Sequence, residues 1–345
     1  MDLGVERAGF KIRVATDAEP LCEKTYSKNF PGVPYLVGKI GQISTKDLLS
    51  AAGLKVGEVD LLIGGPPCPA FSKSRFYRTE KPRALDDPVA KETVGGYLRV
   101  LREARPRAFL LENVKGLAYG VHREALDHIV SVANSLGYKI SVNIINAADY
   151  GVPQIRERCL VMGVLGAEPV PPLPSHAKDG VGAAKWLTAG DALSDIDTDE
   201  NSSFEGHFAG GKHHDLLLQV PPGENYLYFT AERGFAEPKF IWRSRYWSFL
   251  LKLSKDMPSW TIQARRSNNM GPFHWRSRIL RISEIKRLQT FPDDFVLCGT
   301  LDQQWRQIGN AVPPEVAYAF GIQLFNSVIN QLDKRYFSKS RKGEW

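Results

Sequence analysis

A chain of 345 residues with 43% hydrophobic and 24% charged side chains has a globular balance, long enough for one large domain or two ordinary ones, which excludes a disordered polymer. No run of about 18 apolar residues occurs, so no membrane span is expected, and the start Met1-Asp2-Leu3-Gly4 lacks the pattern of a secretory signal. The net charge of +7 suits a polyanionic partner. Four scattered cysteines (Cys22, Cys68, Cys159, Cys298) with no C-x-x-C pair argue against a disulfide framework and against zinc, and fit a cytoplasmic location.

The first half alternates short apolar runs with helical stretches. A strand is predicted over Phe10 to Thr16 and a helix over Glu19 to Asn29. Val59 to Gly64 reads as a buried strand ending in glycines. Val89 to Arg105 has helical spacing and stops at Pro106; Ala108 to Leu111 is a second buried strand. Arg123 to Leu136 is helical, closed by Gly137, and is followed by strands over Lys139 to Ile145 and Cys159 to Val164. Strands alternating with helices of this length predict an α/β fold on a parallel sheet, with ligands beyond the carboxyl ends of the strands.

After Gly166 the texture changes. The proline-rich Pro169 to Pro174 cannot continue a sheet, and the sequence to Arg281 has little periodicity. From Ile282 the α/β texture returns, ending in the apolar-faced stretch Pro314 to Leu332. The expected organisation is a catalytic domain over 1–168, a smaller inserted domain over 169–281, and a return to the catalytic domain over 282–345. Charge divides accordingly. Lys239 to Arg287 holds twelve Lys or Arg against two acids, whereas Pro171 to Pro238 holds four against eleven. A late basic segment is the footprint of a phosphate grip.

Three short segments could carry chemistry. Gly64-Gly65-Pro66-Pro67-Cys68-Pro69 follows a buried strand, and prolines on both sides of Cys68 stiffen the loop under the thiol. Such a thiol is well placed as a nucleophile; the plainer reading is a buried structural cysteine. Glu112, in Leu110-Leu111-Glu112-Asn113-Val114, stands at the end of the next strand, where partial desolvation favours sharing a proton with a bound ring; taken alone, the Glu-Asn pair reads rather as a cap for the following helical turn. Gln154, Arg156 and Arg158 alternate before another strand, so period two puts them on one face. Two guanidiniums there suit carbonyl or phosphate oxygens, or a surface ion-pair ladder with Glu157.

In order along the chain these segments resemble the motif set of DNA cytosine-5 methyltransferases. The matches are Pro67-Cys68, Glu112 to Val114, Gln154-x-Arg156-x-Arg158, Arg287 to Pro292 (R-L-Q-T-F-P) and Gly309 to Pro314 (G-N-A-V-P-P). The resemblance covers the whole chain except the interior of the inserted domain. It implies a Rossmann-like, S-adenosylmethionine-dependent methyltransferase sheet with an inserted target-recognition domain. It implies further that the Cys68 thiolate adds to C6 of cytosine, that Glu112 stabilises N3, and that Arg158, with Arg156 nearby, holds O2. The base must be flipped out of the duplex to react, and Ser72 to Asp87, with Ser72 and Arg75, would form the loop that closes over it.

The same resemblance assigns Asp17, Ile40, Pro67 and Asn310 to the cofactor. It departs from the family at two places. Members open with a strand and a Phe-x-Gly-x-Gly loop, of which this chain matches only the tail, Ala8-Gly9-Phe10. The expectation is therefore that the first strand and glycine loop are absent and that cofactor binding is weakened. Lys39 also stands where the family has an acidic acceptor, and a lysine cannot accept a hydrogen bond.

The inserted domain resembles a target-recognition domain by position. Trp242, Arg243, Arg245, Tyr246, Trp247, Arg265 and Arg266 interleave aromatics with arginines. Gln154, Arg243, Arg245, Arg265 and Arg266 are expected at DNA, by phosphate contact or base-edge readout, and most of the tryptophans are expected in the core. The resemblance implies double-stranded DNA as the partner, a monomeric chain, and a restriction endonuclease as the functional counterpart. The other readings are a DNA-binding remnant without catalysis and a transfer-RNA cytosine-5 methyltransferase. An unrelated cysteine hydrolase is disfavoured because no His lies in the motif loops.

Overall fold

The computed structural model describes residues 1–67, 87–198, 209–243 and 246–340. In chain order the first part comprises α1 (Asp2–Arg7), β1 (Ala15–Asp17), α2 (Pro20–Asn29), β2 (Tyr35–Val37), α3 (Thr45–Ala52), β3 (Leu61–Gly64), α4 (Pro88–Ala104), β4 (Ala108–Val114), α5 (Arg123–Ser135), β5 (Tyr138–Asn146), β6 (Gln154–Ile155) and β7 (Glu157–Leu165). The second comprises β8 (His176–Ala177), β9 (Ala184–Lys185), α6 (Ala189–Leu193), α7 (His214–Gln219), β10 (Ser259–Trp260), α8 (Ile282–Leu288), α9 (Leu301–Asn310) and α10 (Pro314–Ser340). Among the described residues no helix is long and apolar enough to cross a membrane.

The chain divides into two compact units. One contains Met1–Asn146, Glu157–Leu173 and Pro314–Trp345; the other contains Ala147–Arg156 and Pro174–Pro313.

The first unit is an α/β layer structure. Its main sheet has the order β3-β4-β7-β5, and β1 pairs with β2 in a separate parallel pair. Local signals set the helices. Asp87 caps α4 by accepting from the Val89 and Ala90 amides, Pro88 occupies its first turn, and Arg105 ends it in the left-handed region just before Pro106. Val94, Tyr97, Leu98 and Leu101 of α4 and Leu126 and Ile129 of α5 pack on Phe109, Leu111 and Val161 of the sheet. α10 packs against α1 and returns the chain to this unit.

The sheet is mixed where a parallel one was expected. β3 and β4 are parallel, but β7 runs antiparallel to both β4 and β5. Parallel strands need a crossover of a dozen or more residues, whereas antiparallel ones can be joined directly. The chain leaves the unit at Asn146 and returns at Glu157, and these two residues face each other in the β5–β7 register. No crossover helix intervenes, so β7 reverses. The first strand is also shorter than expected, only Ala15–Asp17.

The second unit differs from the expected inserted domain at both ends. It takes in 147–156, and it keeps 282–313, which sequence texture had assigned to the catalytic domain. The reason is the core. Ile285 and Leu288 of α8 and Trp305 and Ile308 of α9 share one apolar cluster with Leu217, Phe229, Leu253, Ile262 and Phe273. Helical periodicity showed these faces to be apolar but not which core they enter.

Candidate active site

In the first unit, β3 and β4 end side by side, with Gly64 paired to Leu111. The parallel register brings the loop after Gly64 beside Glu112. A Cβ on Gly65 would lie 3.3 Å from Glu112 Oε2, so the Gly65 backbone lies directly against the carboxylate. The loop is then held at two successive carbonyls. Asn113 Nδ2 donates to Pro66 O at 3.2 Å, and the Thr93 hydroxyl of α4 lies 3.0 Å from Pro67 O. Asn113 thus anchors the loop at Pro66, and the Thr93 hydroxyl, whose one proton is shared with Val89 O at 2.7 Å, lies against it at Pro67, the residue before Cys68. Cys68, Ser72 and Arg75 lie outside the described residues. Asn113 and Thr93 were not singled out as loop anchors by sequence reasoning. Asn113 sits in a quoted motif, but Thr93 lies 26 residues from its acceptor and gives no sequence signal.

Glu112 is buried at the end of β4, and Arg158 Nε donates to its Oε1 at 2.8 Å. Burial holds the Arg158 guanidinium below its ordinary value, opposed in part by the charge and hydrogen bond of Glu112; an arginine nonetheless stays cationic in proteins. Arg158 Nη1 also donates to Glu157 O at 2.8 Å, and the Glu157 carboxylate pairs with Lys115 Nζ at 2.5 Å. Cys159, the next residue on β7, is a buried thiol pushed up to about 12 by burial and then by Glu112, which makes it a poor nucleophile.

Asp17 is exposed at the carboxyl end of β1. Its Oδ1 accepts from the Glu19 amide at 2.8 Å, and among the described residues its other oxygen accepts nothing. Ile40 is half-buried, packed on Gly96 and on the cluster around Leu48, Val100 and Ala104. Arg99 fixes this turn by donating to the Ile40 and Ile43 carbonyls, both at 2.7 Å. Lys39 is exposed.

Gln154, Arg156 and Arg158 do not share a face. Arg158 belongs to the first unit, while Gln154 and Arg156 belong to the second. Gln154, expected at DNA, is fully buried: Nε2 donates to Leu288 O and Gln289 Oε1, both at 3.0 Å, and Oε1 accepts from the Ile262 amide. Arg156, expected in catalysis, is 1% exposed and donates to three carbonyls. These are Ile262 O at 3.2 Å, Gly309 O at 2.9 Å and Ala311 O at 3.0 Å. Both side chains are internal braces, because each meets backbone groups that would otherwise be buried unpaired. They explain two of the late motifs. Gln289 of Arg287–Pro292 bridges Gln154 to Ile308 O, and Gly309 offers its carbonyl to Arg156. Asn310, at the end of α9, is exposed.

The arginines of the basic segment separate in the same way. Arg243 and Arg265 are exposed. Arg266, expected at DNA, has a side chain only 4% exposed, with Nε donating to Asp302 at 2.9 Å, so it is held inside its own unit. Arg287 is likewise committed to Asp195 and Asp293. Arg245 lies outside the described residues. The tryptophans divide: Trp186, Trp275 and Trp305 donate their indole N–H groups within the unit, whereas Trp242 and Trp247 are exposed.

The family model for C-5 cytosine-specific DNA methylases matches residues 1–326. The chain belongs to that family. It is 41% identical over 325 residues to the Type II methyltransferase M.SacI of Streptomyces achromogenes, across 89% of this chain and 82% of that protein. It is 29% identical over 377 residues to the Type II methyltransferase M.XorII of Xanthomonas oryzae pv. oryzae, across 97% and 84%. The S. pombe Dnmt2 methyltransferase shares the fold, with a TM-score of 0.62 over 96% of this chain and 95% of that one at 15% identity. As a C-5 cytosine DNA methylase of restriction–modification type, this protein uses S-adenosylmethionine as methyl donor.

Proposed function

We propose that this DNA methylase attacks a flipped-out cytosine with Cys68, with Glu112 as the acid at N3 and Arg158 as the residue that orients it. The observation that supports this reading is the placement of Glu112 against Gly65, at the root of a loop whose Pro66 and Pro67 carbonyls are fixed. A nucleophile and its acid must be held within a few ångströms of one ring, and these contacts hold the residues that lead into Cys68 beside Glu112. The Cys68 thiolate adds to C6, and the displaced electron pair moves toward C5 as Glu112 gives hydrogen-bond support to N3. Arg158, bonded to Glu112, also supplies a cation for the O2 oxygen. Once C5 is methylated, loss of its proton to a base regenerates the double bond as Cys68 leaves.

S-adenosylmethionine supplies an electrophilic methyl group. The first unit has residues that fit it: the open carboxylate oxygen of Asp17 suits ribose hydroxyls, with Ile40 and Pro67 beside it in the assignment. Arg243 and Arg265 hold DNA, and the activity protects a recognition sequence from a companion endonuclease.

The test is trapping. With 5-fluorocytosine in the methylated sequence, the fluorine cannot leave as the proton does, so wild-type protein should form a covalent adduct stable on a denaturing gel. Cys68→Ser should form none and should still bind duplex DNA. Tritium transfer to transfer RNA but not to duplex DNA would overturn the substrate assignment. Turnover by Cys68→Ser would overturn the nucleophile.

A further inference from the structure

The second unit exposes several large apolar side chains close together in sequence. Ile241 is 76% exposed, Trp242 51%, Tyr246 40% and Trp247 43%. Isolated exposed apolar side chains are ordinary, but a contiguous group of large ones marks a surface that meets something. Their backbone is held from inside. Tyr226, 2% exposed, donates its phenol to Arg243 O at 2.7 Å and accepts from Arg243 N at 2.8 Å. Its neighbour Asn225, equally buried, donates from Nδ2 to Trp247 O at 2.7 Å, while its Oδ1 is held by the Leu227 amide. The Trp247 ring rests edge-to-face on Trp260 of β10 at 5.3 Å.

Two buried polar side chains therefore anchor both ends of 243–247 while the aromatic groups stay in water. A segment needing only to be covered would bury its indoles; this one spends two internal anchors on presenting them. Its setting identifies the occupant. Arg266, Arg276, Arg278 and Arg287 are paired with carboxylates inside the unit, but Arg243, within the segment, and Arg265 are exposed, and they offer the charge that a polyphosphate backbone attracts.

We propose that Trp242 and Trp247 are specificity-determining contacts to duplex DNA, with Tyr226 as the positioning residue that presents them. The indoles pack on bases made accessible when the recognition site is distorted, and Arg243 takes the adjacent phosphate or guanine edge. Aromatic wedges of this kind offset the unstacking that base flipping requires. The proposal rests on the reading of this protein as a DNA methylase, and it assigns recognition to side chains outside the arginines.

Unmethylated phage λ DNA, methylated by wild-type protein with tritiated S-adenosylmethionine and read by bisulfite sequencing, gives the recognition sequence. Duplexes carrying and lacking it then serve as probes. Trp242→Ala and Trp247→Ala should each lose about 10- to 100-fold in affinity for the cognate duplex and less than about 3-fold for the random one. Trp247→Phe should restore most of the loss. Tyr226→Phe, which keeps the ring but removes both bonds to Arg243, should add secondary sites to the bisulfite profile. Equal losses on both duplexes, or wild-type discrimination in all variants, would overturn the proposal. So would a wild-type dimer in sedimentation that Trp247→Ala dissociates, since the face would then join two copies. Absence of methyl transfer by the wild type to any DNA would instead sink the methylase reading.

Discussion

Arg158 Nε donates to Glu112 Oε1 at 2.8 Å, with both side chains largely shielded from solvent. β4 and β7 are antiparallel neighbours, and Val114 faces Arg158 across them, so the sheet itself sets the approach. Glu112→Gln keeps a carbonyl acceptor for Arg158 but removes the acid. Methyl transfer should fall by about two to four orders of magnitude, with DNA affinity little changed. Arg158→Met leaves a buried carboxylate unpaired and should cost about 3–5 kcal/mol in urea unfolding. Equal stability of Arg158→Met and wild type would show that the pair does not hold the strand ends.

Arg156 is a brace, and its loss should register first in stability. Arg156→Met removes donors to three carbonyls, two of them buried, and should destabilise the second unit by about 3–5 kcal/mol. Arg156→Lys should recover part of this. If Arg156→Met unfolded at the wild-type urea midpoint yet lost methyl transfer, a direct catalytic role would be restored.

Gly309 owes its place to close approach. A Cβ there would lie 2.4 Å from Gln263 O and 2.6 Å from Ala264 Cα, both backbone atoms. Gly309→Ala must therefore push two chain segments apart and should cost about 1–3 kcal/mol. A thermal unfolding scan showing no change would contradict the packing described.

Adjacent arginines should behave differently. Arg265→Ala should weaken DNA binding; if Arg265 grips phosphate, cognate and random duplexes weaken together and the salt slope falls by about one. Arg266→Ala breaks the ion pair to Asp302 and should lower stability while leaving that slope unchanged. Titrations of both variants at several salt concentrations make the comparison, and a reduced slope for Arg266→Ala would reverse the assignment.

Lys252 gives the second unit a pH signature. It is 2% exposed, no carboxylate pairs with it among the described residues, and burial pushes its ammonium down to about 8. Unfolded, it titrates near its ordinary value of about 10.4. Between these values the unfolded chain binds more protons, so this residue makes stability rise with pH from about 8 to about 10.4. Below about 8 the full penalty applies, on the order of 3 kcal/mol. Lys252→Met should be more stable than wild type at pH 7, and the difference should shrink above pH 8. A constant difference across that range would show that Lys252 is not buried as a charge.

Local chemistry made much of the first unit legible. α4 and α5 follow their predicted ranges closely because Asp87, Pro88, Pro106 and Gly137 are stop and start signals within a few residues of the helix ends. β4, β5 and β7 were legible as apolar runs, and the order of five short motifs was enough to indicate the family. Distance along the chain decided the rest. Period two put Gln154, Arg156 and Arg158 on one face, yet the chain changes units between the second and third. Arg156 finds its acceptor 153 residues away, and Gln154 finds Leu288 O at a separation of 134. The direction of β7 depended on the absence of a crossover between Asn146 and Glu157. α8 and α9 followed their apolar faces into the core of the second unit. Arg266, expected at DNA, is held inside the second unit because Asp302 takes up its guanidinium, and Asn225 fixes the backbone beneath the exposed Trp247 indole. A sequence shows which side chains are apolar, charged or able to brace a loop; the partners that bury or expose them are brought together only by the folded chain.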